Sequence, residues 1–128
     1  MSTITVTNIK ATGETASRSA TGVAAAWCNF DSDTPSIRDS INTSSVTDGG
    51  NCNYTYNFSS NMGNVNYVPA GYIKDGASNN YSRVLASIDA DTYSASALQV
   101  RPSAVNAGTL TTAFDPGYVC IMIMGDLA

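Results

Sequence analysis

At 128 residues the chain has the length of one domain, enough to bury roughly two thirds of its unfolded surface around a single core. Only 12% of its residues are charged, its formal net charge is -4, and its six cations (Lys10, Arg18, Arg38, Lys74, Arg83 and Arg101) form no run, which excludes a surface that tracks nucleic-acid phosphates. Histidine is absent, which removes the commonest general base and metal ligand, and no apolar run approaches the ~18 residues of a membrane span, so no membrane insertion is expected.

In chain order, Ser2 to Ile9 alternates Ile4 and Val6 with threonines, the period of a half-buried strand. Lys10 to Thr21 is small and polar, carries Gly13 and shows no apolar period, so it reads as a linker. Residues 1–21 are therefore expected to be an extended N-terminal arm, able to pair with its own domain or with a neighbouring chain. The apolar run from Val23 to Cys28 is short and lacks a basic leader, and the chain from Met1 onward is read as part of the working protein. Within the next strand Val23, Ala25 and Trp27 share one face, and Ala24, Ala26, Cys28 and Phe30 share the other. Both faces are apolar, as in a sandwich interior or a subunit interface. After a turn at 31–35, Ile37, Asp39 and Ile41 alternate with Arg38, Ser40 and Asn42. That register puts Asp39 on the face of Ile37 and Ile41, and were that face inward its carboxylate would need a partner from another strand, such as Arg83 or Arg101. The cluster Thr47-Asp48-Gly49-Gly50-Asn51 offers positive-φ positions for a hairpin into Cys52 to Phe58, where Cys52, Tyr54, Tyr56 and Phe58 share a face.

The second half repeats the style. Val65 to Lys74, Tyr81 to Ile88, Ala95 to Arg101, Thr109 to Phe114 and Tyr118 to Met124 are strand-like runs separated by turns bearing Gly, Asn, Asp or Pro. The last of them sets Tyr118, Cys120, Met122 and Met124 against Val119, Ile121 and Ile123, again apolar on both faces. No segment has helical periodicity. The expected fold is all-β: a single antiparallel β-sandwich, jelly-roll-like, over residues 22–128.

Catalytic constellations are missing from this sequence. It has no G-x-S-x-G elbow, no phosphate loop and no C-x-x-C pair, and most of its acids fall in turns, where Asp caps its own backbone. Asp31-x-Asp33 and Asp89-x-Asp91 offer oxygens of the kind Ca²⁺ takes, without the rest of a loop signature. Neither an enzymatic activity nor a cofactor is expected. The odd number of cysteines, Cys28, Cys52 and Cys120, argues against a disulfide framework and for small buried hydrophobes, with a Cys28–Cys52 bridge left open if their strands face each other. Trp27, Phe30, Tyr54, Tyr56, Phe58, Ile121 and Ile123 have the spacing of core or assembly residues. Tyr72, Tyr81 and Tyr93 flank turns and, with Asn79 and Asn80 as amide donors, are the candidates for contact with a host-surface glycan or protein.

One segment carries a kinship. From Ala26 to Phe58 the chain reads AWCNFDSDTPSIRDSINTSSVTDGGNCNYTYNF. It resembles a segment that recurs in tail-fibre and related virion proteins of bacteriophages, especially of aquatic bacteria, whose usual form is A-W-V-N-F followed by I-R-x-S-x-N-V-S-S-I-T-D-x-G-x-G-x-Y-T-V-N-F. Ala26-Trp27, Asn29-Phe30, Ile37-Arg38, Ser40, Asn42, Ser44-Ser45, Thr47-Asp48, Gly50, Tyr54-Thr55 and Asn57-Phe58 fit; Cys28 stands where the family usually has Val. The resemblance implies a non-enzymatic virion structural protein, a short tail fibre or fibre-tip domain, that forms a homotrimer, is assembled in the host cytoplasm, and sits on the tail or capsid surface among other virion proteins. The alternatives are a capsid decoration, cement or head-fibre protein held by its N-terminal arm, and a carbohydrate-binding module.

Overall fold

The computed structural model describes residues 5–9, 12, 18–19, 23–50, 52–74, 82–87, 93–106, 109–111 and 116–128. Among them the chain is all-β, with no helix. β1 (Asn8–Ile9) and β2 (Arg18–Ser19) form a two-residue antiparallel ladder, so part of the stretch read as linker is paired. β3 (Ala24–Asp31), β4 (Ser36–Ile41), β7 (Val68–Lys74) and β11 (Tyr118–Met124) make a four-stranded antiparallel sheet in the order β4-β3-β11-β7. β5 (Thr43–Asp48), β6 (Tyr54–Phe58), β8 (Ser82–Ser87), β9 (Ala97–Asn106) and β10 (Thr109–Thr111) make the second sheet, β10-β9-β6-β5, with β8 also on β9.

Aromatic packing joins the two sheets across one core. Phe30 of β3 meets Tyr54 at 5.7 Å and Tyr56 edge-on at 6.4 Å between ring centroids, both from β6 in the opposite sheet. The Tyr56 hydroxyl donates a 3.0 Å hydrogen bond to the Val119 carbonyl of β11, so the polar tip of a buried ring is satisfied across the layers. Around them Ala26, Cys28, Leu98, Val100, Ile121 and Ile123 are buried, each large side chain contributing about 1.5–3 kcal/mol by leaving water. The arrangement is compatible with a β-sandwich, and Phe30, Tyr54, Tyr56, Phe58, Ile121 and Ile123 are core residues as their spacing predicts.

Connectivity departs from the jelly-roll expectation. In that pattern of two Greek keys most successive strands change sheet, whereas here β3–β4, β5–β6 and β8–β9–β10 are hairpin neighbours within a sheet. Tight turns enforce this. At 48–54, Gly50 adopts φ 69° and Cys52 φ 62°, the Gly50 amide donates to Asp48 Oδ1 at 2.8 Å, and the Gly49 amide donates to the Asn53 carbonyl at 2.8 Å. Cys52 thus belongs to the turn, and β6 begins two residues later than its period suggests. At the β3–β4 turn the Thr34 amide donates to Asp31 Oδ1 at 3.1 Å, the capping use of Asp expected of turn acids.

Two bulges reset the faces. Opposite β11 the register shifts so that Ile123 faces Ala26 while Met124 faces Ala24, leaving Ala25 as the extra residue. Opposite β4, Asn29 faces Asp39 and Phe30 faces Ile37, leaving Arg38 extra. This second bulge corrects the expectation for Asp39: alternation breaks at Arg38, so Ile37 joins the core while Asp39 is exposed on the other face and accepts from the Ser40 amide at 2.9 Å.

Asn42 turns the chain from one sheet into the other. Its φ of 53° lies in the left-handed region, which Asn tolerates better than most residues. Its side chain clamps the loop after β6: Nδ2 donates to the Ser60 carbonyl at 3.1 Å and Oδ1 accepts from the Ser60 amide at 2.7 Å. Asn42→Ala should cost about 2 kcal/mol, combining left-handed strain with two lost hydrogen bonds. Asn42→Gly should recover the backbone part alone. Urea midpoints of the three proteins check this, and equal losses for Ala and Gly would remove the strain component.

At the C-terminus the Gly63 amide donates to the Asp126 carbonyl at 2.7 Å and the Ala128 amide to the Asn61 carbonyl at 2.9 Å. Gly125 passes so close to the core that a Cβ there would lie 2.7 Å from the Tyr67 Cβ, an approach only glycine permits.

Candidate functional site on the outer face of the four-stranded sheet

The second apolar stripe of β3 and β11 faces away from the core. Reading across β7, β11, β3 and β4, the outward rows are Lys74–Tyr118–Asp31–Ser36, Tyr72–Cys120–Asn29–Asp39, and Ala70–Met122–Trp27–Ile41, with Val68–Met124–Ala24 beyond them. Antiparallel registry creates these rows, because directly opposed residues place their side chains on the same face. Tyr72 is 60% exposed, Val68 58%, Ile41 54% and Met122 42%, so one flat face keeps four large apolar side chains in water.

Trp27 belongs to this face. Its spacing placed it with the core aromatics, yet it lies between the buried Ala26 and Cys28, opposite the exposed Met122 and Ile41, and is half-buried. A two-layer fold has one interior, so only one stripe of a doubly apolar strand enters it. Between Tyr72 and Met122, a hollow of about 330 Å³ is lined by Ala70, Gly71, Tyr72, Cys120, Ile121 and Met122.

One end of the face is cationic. The Arg38 guanidinium lies 5.1 Å and the Lys74 ammonium 5.2 Å from the centroid of the Tyr118 ring, within cation–π range. Arg38 reaches this position because the bulge adds it to the outward side of β4. Cys120 sits beside Asn29, with 3.7 Å between its Sγ and Asn29 Oδ1. Burial raises its thiol pKa and the Arg38 charge opposes the rise only in part, so at neutral pH this group is a thiol and a weak nucleophile. All three cysteines carry free thiols. Among the described residues no cluster of three or more His, Cys, Asp or Glu side chains is placed to hold a metal ion. The arrangement is one for contact: an aromatic and aliphatic floor, a cationic end, and carboxylates at Asp31 and Asp39.

Of the residues proposed to touch a receptor, Tyr72 is on this face and exposed. Tyr93 is corrected. It is half-buried, stacked on Tyr67 at 5.0 Å with ring planes 26° apart, and packs against the core. The Tyr67 hydroxyl anchors that corner by donating to the Ser94 carbonyl at 3.0 Å. Asn79, Asn80 and Tyr81 lie outside the described residues, as do Asp89 and Asp91. Spacing gives Ile41 and Val68 no contact role, whereas Met122 lies on a strand whose two apolar faces point to a sandwich interior or a subunit interface. No family model, curated protein or solved structure matches this chain.

Proposed function

We propose that the chain is a non-enzymatic structural protein of a bacteriophage virion, a short tail fibre or fibre-tip domain that folds as a β-sandwich, assembles as a homotrimer and contributes to virion assembly and host-surface attachment. The observation that carries the reading is the segment from Ala26 to Phe58. Its resemblance to tail-fibre sequences coincides with β3 through β6, which supply two strands to each sheet. The exposed apolar face supports assembly, because a solitary domain rarely leaves such a surface in water. Other virion proteins are the expected neighbours of this assembly, and a host glycan or protein its distal contact.

Electron microscopy of virions labelled with an antibody against this protein tests the location. Label at the tail is the expected result, whereas label confined to the head would replace the fibre assignment with a decoration or cement protein. Sedimentation at several concentrations tests the homotrimer, and a monomer at every concentration would remove it.

A further inference from the structure

We infer that the polar end of this outer face is a binding site for a neutral oligosaccharide, laid across the strands along the row Tyr72–Cys120–Asn29–Asp39. The inference rests on the attachment reading above and gives it a site and a ligand class. Only one end of the face is involved, and the rows through Met122 and Met124 lie to one side of it.

Tyr72, 60% exposed on β7, offers an aromatic ring against which the C–H face of a sugar can stack. The hollow of about 330 Å³ beside it falls within the size of small-ligand sites, and it is lined by apolar groups and by Gly71, which has no side chain to fill it. Farther along the row the side chains are polar and have bonding capacity to spare. Asn29 Oδ1 faces the Cys120 thiol, while its Nδ2 has no partner in the protein. Asp39 accepts from the Ser40 amide through Oδ1 alone, and Asp31, in the neighbouring row, accepts from the Thr34 amide through Oδ1 alone. Arg38 and Lys74 lie against the Tyr118 ring, and neither is ion-paired.

Charge argues against an acidic ligand. Among the described residues of these two rows and the bulge, the cations Arg38 and Lys74 are matched by the carboxylates Asp31 and Asp39, so a polyanion finds no excess positive charge on a chain of net charge -4. What this end offers is hydrogen-bond donors interleaved with acceptors. A sugar hydroxyl both donates and accepts, so one ring can use both kinds at once. From β7 to β4 the row crosses three inter-strand gaps, about 14 Å, which is longer than one sugar ring and suits a short chain of them.

An array of neutral and uronate-bearing oligosaccharides, probed with the full chain over a range of concentrations, tests this. Neutral members should bind, and about 0.5 M NaCl should change their apparent Kd by less than about twofold, because salt screens ionic contacts alone. Tyr72→Ala should abolish that binding, and Asn29→Ala and Asp39→Ala should each weaken it about tenfold, with circular dichroism and the melting midpoint unchanged. Binding of uronate-bearing members alone, or of no member, overturns the site. Neutral binding indifferent to Tyr72→Ala and Asn29→Ala also overturns it, by placing the sugar elsewhere. An oligomer that Tyr72→Ala dissociates overturns it as well, because a neighbouring copy then covers the ring. Any of these failures with antibody label at the virion tail leaves the fibre assignment standing, whereas neutral-sugar binding lost in Tyr72→Ala, with label confined to the head, keeps the site and removes that assignment.

Discussion

Replacing Tyr56 by alanine should destabilise the fold by about 3–5 kcal/mol, whereas Tyr56→Phe should cost about 1 kcal/mol. Tyr56 is fully buried at the middle of β6, and its ring meets Phe30 of the other sheet edge-on. Truncation to a methyl group opens a cavity between layers held by aromatic contact, and closing it would require the sheets to move together. The phenylalanine keeps that ring contact and removes only the hydroxyl that reaches the Val119 carbonyl. Against a total stability of about 5–15 kcal/mol, the alanine change consumes a large share. Urea denaturation with unchanged m-values would measure both losses, and a Tyr56→Ala cost under about 1 kcal/mol would show that this ring does not tie the sheets together.

The contrast between Tyr56 and Trp27 marks how much of the fold was legible in the sequence. Tyr54, Tyr56 and Phe58 alternate with polar Thr55 and Asn57, so period two alone assigns their face, and all three are buried. Trp27 alternates with residues as apolar as itself. Nothing local distinguishes which stripe of β3 enters the core, and tertiary packing selected Ala26, Cys28 and Phe30. Glycines and aspartates announced the turn at 48–54, while the bulges at Ala25 and Arg38 had no such signal. One inserted residue reverses every assignment beyond it, which is why Asp39 does not share the face of Ile37 as strict alternation predicts. Asn42 was equally hidden: in an alternating pattern it passes for another outward polar residue, yet it ends one strand and begins another.

The candidate site follows from those same features. A row such as Ala70–Met122–Trp27–Ile41 draws on four strands separated widely in sequence, so only strand order and register assemble it. Arg38 reaches Tyr118 across the intervening β3 because a bulge turned it outward. What the sequence did contain was surplus: two strands with more apolar surface than one interior can take. The fold converts that surplus into an exposed face.

Raising the pH should unfold the protein through its buried acids. The Cys28 thiol, 1% exposed, is pushed up to about 12, by burial first and by the neighbouring Cys120 second. Burial also raises Tyr56, with the Cys28, Cys120 and Tyr54 charges adding to the effect, and takes Tyr67 up to about 12, with Tyr93 adding to it and the Ser94 hydrogen bond opposing it. An unfolded chain releases these protons near the ordinary values of 9.0 for Cys and 10.0 for Tyr, while the folded protein still holds them. Between those values and about 12 the folded state therefore binds more protons, so stability is intact below about pH 8.5 and falls as pH rises. Each such group lowers it by about 1.4 kcal/mol per pH unit within its window, with Cys28 acting first and the tyrosines joining above about pH 10. Cys28→Ala should reduce the loss that begins near pH 9, leaving the smaller share that the raised Cys120 thiol contributes. Denaturation midpoints that stay level from about pH 8 to about pH 11 would show that these groups already meet water in the folded state.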